Sequence, residues 1–195
     1  MADLLQALKA ADGSGYCHLF ENVRTGLSRG VFWSFRFELG SLEASGQDWP
    51  TSIEIEWMRW GIRSWRELER CSLDNLMSPS DTECSIYFLG LHQPATPESL
   101  AFRHLGGARF LMTLAADLDV EDLAGKRLPR TRRVFEAPME FDGASVMPGN
   151  VAVPKGAPQE ATKALGVFLD TRAFEAPVWD GASYRFAPRV EGAGG

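Results

Sequence analysis

The chain has 195 residues, a net charge of −6 and a pI near 5.1. That is enough length for a single domain burying about 70% of its unfolded surface, and the wrong charge for general attraction to nucleic acid or an anionic membrane. The odd set of Cys17, Cys71 and Cys84, without C-x-x-C spacing, argues against a disulfide framework and a zinc site and for a reducing, cytoplasmic compartment.

Leu4, Leu5, Leu8 and Ala11 share one face of a short helix that Gly13 would end, and this segment lacks the charged n-region and sustained apolar core of a leader. No run approaches the roughly 20 apolar residues of a membrane span. Tyr16 to Val23 is short and mixed. From Val31 to Leu39 the alternation of Val31, Trp33, Phe35, Phe37 and Leu39 with Ser34, Arg36 and Glu38 predicts a half-buried strand. Polar, Gly-containing Gly40 to Pro50 reads as a loop into a second, antiparallel strand.

That second strand opens the most unusual stretch, Ile53 to Arg70, which holds Trp57, Trp60 and Trp65. Period two places Ile53, Ile55 and Trp57 on the buried face and Glu54, Glu56, Met58 and Trp60 on the other. Gly61 breaks the extended run, and Ser64-x-x-Glu67 has the spacing of a capping box, so a short helix is predicted from Trp65. Trp57 and Trp65 are then core-filling aromatics. Trp60 with Met58, bordered by Glu54 and Glu56, has the composition of a binding site: an aromatic anchor with a charged rim. The competing reading folds the helix over that face and makes Trp60 core.

Further on, Cys84 to His92 predicts a strand, Thr96-Pro97 an N-cap and first helical turn closed by Gly106-Gly107, and Arg109 to Val120 carries the longest strand signal in the chain. Phe135-Glu136-Ala137-Pro138 recurs as Phe174-Glu175-Ala176-Pro177, each followed by Asp-Gly-Ala-Ser. Asp-Gly favours hairpin turns, so the repeat is either a duplicated hairpin over 133–148 and 172–188 or a coincidence of composition. Pro148 to Pro158 reads as a loop, Pro158 to Leu169 as a helix, and Glu191 to Gly195 as a mobile tail.

Catalytic and metal motifs are missing from this pattern. His18, His92 and His104 never fall at H-x3-H or H-E-x-x-H spacing, and Asp117 to Asp122 lacks the Gly and Glu of a calcium loop. Cys17 and His18 are adjacent, which on a strand aims them at opposite faces, and Gly143-Ala144-Ser145 lacks the second glycine of a nucleophile elbow. Lys126, Arg127, Arg130, Arg132 and Arg133 follow four acidic residues closely and read as a solvated connector rather than a phosphate site.

The sequence therefore predicts one domain over 1–195, mainly β (α+β), as an antiparallel sandwich or strongly curved sheet with a few short helices. The expected function is non-catalytic binding of a basic protein partner, most concretely by a bacterial toxin-neutralising immunity-type protein, through Trp60, Met58, Glu54 and Glu56. No cofactor or metal is expected, nor nucleic acid or membrane. The alternatives are a carbohydrate-binding β module that stacks sugars on exposed tryptophans, and a hydrolase using two carboxylates brought together by the fold.

Overall fold

The structure, a computed structural model, describes residues 2–190, with side chains from Leu5 onward. A short helix α1 (Ala2–Ala7) precedes seven strands: β1 (Asp12–Asn22), β2 (Leu27–Ala44), β3 (Gln47–Met58), β4 (Glu83–Phe88), β5 (Leu91–Gly106), β6 (Arg109–Leu118) and β7 (Thr131–Val146). Helix α2 (Pro158–Gly166) and a small hairpin of β8 (Val178–Trp179) and β9 (Tyr184–Phe186) follow.

Each of the seven strands pairs antiparallel with the next, and β7 returns to pair with β1 in parallel, closing a barrel. The parallel closure follows from counting: in an up-and-down meander with an odd number of strands, first and last run the same way. Closure corrects the expected open sandwich or curved sheet. Alternation reports only that each strand has one buried face, which a sandwich and a barrel share, whereas closure depends on the long-range β1–β7 pairing. It also leaves neither β1 nor β7 as a bare edge along that stretch.

The barrel is filled, not hollow. Trp33, Phe35, Phe37, Ile53, Ile55, Phe88, Phe110, Met112, Phe135 and Phe141 are all buried in one continuous core. Leu5 and Leu8 join it, and Arg133 holds their segment by donating to the carbonyls of Gln6 and Leu8. The side chain of Leu4 and the predicted tail Glu191 to Gly195 lie outside the described residues.

Several local expectations change. The predicted loop Gly40 to Pro50 is the end of a long β2–β3 hairpin, turned by Ser45 and Gly46 with positive φ at both positions. Leu89 and Gly90 turn β4 into β5 in the same way. The helix predicted from Thr96-Pro97 is strand β5: Leu100 and Phe102 point inward, and the register shifts between Pro97 and Ser99, which accommodates the proline. Tertiary pairing overrides the capping signal there.

The two copies of the repeat also diverge. Residues 133–148 form no hairpin, because Asp142-Gly143 lies inside β7, where a Cβ on Gly143 would meet the Phe186 carbonyl at 2.1 Å. Only the second copy turns, with Asp180 accepting from the amides of Ala182 and Ser183 between β8 and β9.

Ser64 does start a helix, but a short 3-10 one (Trp65–Arg70), with its hydroxyl accepting from the Arg66 amide at 3.2 Å. The Glu67 carboxylate accepts from Arg63 rather than closing a capping box on Ser64. Trp65 anchors this segment by donating to the Ala173 carbonyl at 2.8 Å, and Cys71 is buried at its end. The basic connector is ion-paired: Arg127 with Asp119, Arg130 with Asp117 and Arg132 with Glu98.

Candidate functional site

The filled barrel directs attention to its outer wall. On β3, Ile53 and Ile55 point inward as the alternation requires, but the pattern breaks at Trp57, whose φ is +61°. Trp33 pairs with Met58 and Phe35 with Ile55, so Ser34 alone faces the two residues Glu56 and Trp57. This is a β-bulge, and one extra residue reverses every later side chain. Trp57 is therefore turned out, and Met58 and Trp60 are turned in.

Two of the four sequence-predicted site residues are thereby corrected. Met58 is fully buried, and Trp60 is 5% exposed, with its indole donating to the Ser72 carbonyl at 2.9 Å and its ring beside Trp33, Phe35 and Phe102. Neither can meet a partner. Glu54 and Glu56 do stay on the outer wall, and the tryptophan beside them is Trp57.

A second bulge lies on the same row. Gly15 pairs with Phe141 and Tyr16 with Gly143, leaving Asp142 as the extra residue of β7. Read across the strands, the row runs Gly143, Tyr16, Ser34, the Glu56–Trp57 bulge and Glu83. Two bulges thus flank one patch of wall, and bulges commonly re-aim side chains at functional sites. A bulky residue at positive φ is strained by roughly 1–3 kcal/mol and persists only where its surroundings hold it.

Aromatic packing holds Trp57. Its ring sits 5.1 Å from His18 and Phe20 and 5.5 Å from Phe32, at interplanar angles of 66–84°. The Arg59 guanidinium lies 5.2 Å from the centroid of Phe32 and over Gly30, where an added Cβ would approach it to 2.7 Å. Beside these rings are two recesses, of about 630 and 420 Å³, and a third of about 250 Å³ lies next to the second. Trp57 is common to the first two, and Tyr16 and Glu56 to the second and third.

The electrostatics are unbalanced. Five carboxylates (Glu54, Glu56, Asp81, Glu83, Asp142) and three arginines (Arg36, Arg59, Arg185) line the recesses. Arg36 is committed to Glu54 at 3.0 Å and to Glu38 at 2.6 Å, and Arg185 to Asp180 at 3.4 Å. Glu56 faces Glu83 directly across β3 and β4, an unfavourable like-charge pair. Burial, then the charges of Glu54 and Glu83, hold the Glu56 carboxyl above its ordinary pKa, with His92 opposing. Burial and Glu140 raise Asp142 similarly, against Arg185.

Two buried polar atoms on this wall, His18 Nδ1 and Ser34 Oγ, have no hydrogen-bond partner among the described residues. Each such atom costs about 1–3 kcal/mol unless something satisfies it. Burial lowers the His18 pKa to about 4, so the ring is neutral at pH 7. Sequence reasoning passed over Tyr16, His18, Phe20, Phe32 and Ser34 because they come from two strands and converge only when β1 and β2 pair. Their one legible signal was aromatic residues at alternate positions of Tyr16 to Phe20, which a mixed short segment disguised.

Among the described residues no group of three or more His, Cys, Asp or Glu is placed to hold a metal ion, and no helix is long and apolar enough to cross a membrane. No family model matches the chain, nor does any curated protein or solved structure.

Proposed function

We propose that this protein works by binding, and that it receives a basic segment of a protein partner on the outer wall of β1–β3 with Trp57 as the anchor. The observation that carries the reading is the positive-φ bulge at Trp57, which sets an indole between two recesses beside carboxylates that outnumber the available cations. An aromatic anchor gives affinity on desolvation, and rim carboxylates steer a cationic partner. The most concrete form of this reading is a bacterial immunity-type protein that occludes a basic toxin. Three free thiols, two of them buried, accord with a cytoplasmic setting.

A lysine-rich decapeptide tests the idea. It should bind with marked salt dependence, and Trp57→Ala should weaken binding at least thirtyfold, about 2 kcal/mol, in a protein that remains folded. Equal binding by the variant, or no binding by the native chain, would reject the reading.

One observation favours a hydrolase instead: Glu56 and Asp142 share the walls of the 420 Å³ recess with raised pKa values. Against it, the two shift in the same direction and neither responds to the other's charge, whereas acid–base hydrolysis needs one carboxyl protonated and one ionised. Turnover of aryl glycosides that disappears in both Glu56→Gln and Asp142→Asn would revive it. Carbohydrate stacking gains less support, since Trp57 stands steeply to the rings beside it and forms no coplanar platform with them.

A further inference from the structure

Within that binding surface, one recess has a more specific chemistry. The 250 Å³ recess over β1–β3 is walled by Tyr16, Ser34, Arg36, Glu54 and Glu56. Its floor is Ser34, 2% exposed, at an outward position of β2 between the inward Trp33 and Phe35, with its Oγ unpartnered. Tyr16 flanks Ser34 on β1, and the Glu56–Trp57 bulge flanks it on β3. Glu54 is already answered by Arg36. Glu56 and Glu83 have no ion pair among the described residues, although they oppose each other on neighbouring strands.

We propose that this recess is a pocket for a single primary ammonium group, presented as a lysine side chain of the partner: Glu56 supplies the counter-charge, and Ser34 Oγ and the Tyr16 hydroxyl accept N–H bonds, while Trp57, next to Glu56 in the bulge, lines the adjoining recess. The proposal rests on the binding reading above and narrows it. Each feature corresponds to a property of an ammonium ion. Its three N–H donors match three acceptors carried by three different strands, whereas a planar guanidinium would fork onto the Glu56 carboxylate alone and leave the separate Ser34 and Tyr16 oxygens poorly served. Its charge relieves the repulsion between Glu56 and Glu83. A bound ammonium would also satisfy the buried Ser34 hydroxyl, which no group among the described residues does. Arg36, the cation already in the recess, pairs with Glu38 and Glu54 rather than with Glu56.

The test uses the full chain and N-acetyl-lysine methylamide, followed by the Trp57 indole N–H resonance, which Trp57→Phe assigns. Saturable shifts are expected at millimolar concentration, absent with the norleucine analogue and weaker with the arginine analogue. Glu56→Gln should weaken binding at least tenfold and Ser34→Ala several-fold. Glu56→Gln removes a like-charge pair and should fold. Unchanged affinity in Glu56→Gln, an equal response to norleucine, or a stronger one to arginine would overturn the pocket. If the lysine amide gives no shift while the decapeptide still binds through Trp57, the pocket fails and the interface stands. If the amide binds through Glu56 while the decapeptide does not, the pocket stands and the protein-partner reading fails.

Discussion

Replacing Trp60 tests the register reversal on which the site depends. Its side chain is 5% exposed, packs 6.1–6.3 Å from the ring centroids of Trp33, Phe35 and Phe102, and donates a 2.9 Å hydrogen bond to the Ser72 carbonyl. Burying a tryptophan removes about 200 Å² from water, on the order of 5 kcal/mol at 25 cal/mol per Å². Trp→Ala deletions in cores cost about 3–5 kcal/mol. An expected loss of about 4 kcal/mol for Trp60→Ala includes the orphaned Ser72 carbonyl. Since domains are stable by only about 5–15 kcal/mol, Trp60→Phe, expected to lose about 2 kcal/mol, serves as a gentler companion. With a urea m-value of about 2–3 kcal/mol/M, the alanine variant should unfold about 1.3–2 M earlier. A shift below about 0.25 M would put Trp60 on the surface, restore simple alternation through Trp57, and remove the outward indole from the argument.

Protonation of His18 supplies a second test. Its pKa is lowered from 6.5 to about 4 in the folded chain, so the unfolded state takes up a proton first as pH falls. The contribution to stability is therefore present above about pH 6.5 and declines from there to about pH 4, by on the order of 3 kcal/mol. Urea midpoints at pH 7 and 4.5 should differ less in His18→Gln than in the native chain, and identical pH dependence would mean a solvated ring. Ser64→Ala should cost about 1 kcal/mol through loss of the cap on the Arg66 amide, read from the same denaturation curves, and no loss would mean that the 3-10 segment is held without it. Burial raises all three thiol pKa values, to about 12 for Cys71 and Cys84. Thiol reagents at pH 8 should reach Cys17 and Cys71 only after unfolding, and rapid native labelling of either, or a disulfide, would contradict their buried, free state.

What the sequence determined by itself was the local half of the fold. Alternation placed the strands around Val31 to Leu39, Ile53 to Ile55 and Arg109 to Val120, the last ending at Leu118 in the structure, and turned Trp33, Phe35, Phe37, Ile53 and Ile55 inward, because the faces of a strand differ with period two whatever the partner. Ser64 was recognisable as a cap because it acts on an amide two residues away. Tertiary structure decided the rest. Barrel closure joins Gly13 through Leu19 to a strand more than a hundred residues on, and Pro97 entered a strand because β6 offered it a pairing with a register shift. The site depended most on distance in sequence. The bulge at Glu56–Trp57 has no composition signal of its own; it is set by which residue of β2 stands opposite. That single added residue exchanged the predicted anchor, Trp60, for Trp57, and brought Glu56 beside Tyr16 and Ser34, neighbours that exist only once three strands have paired.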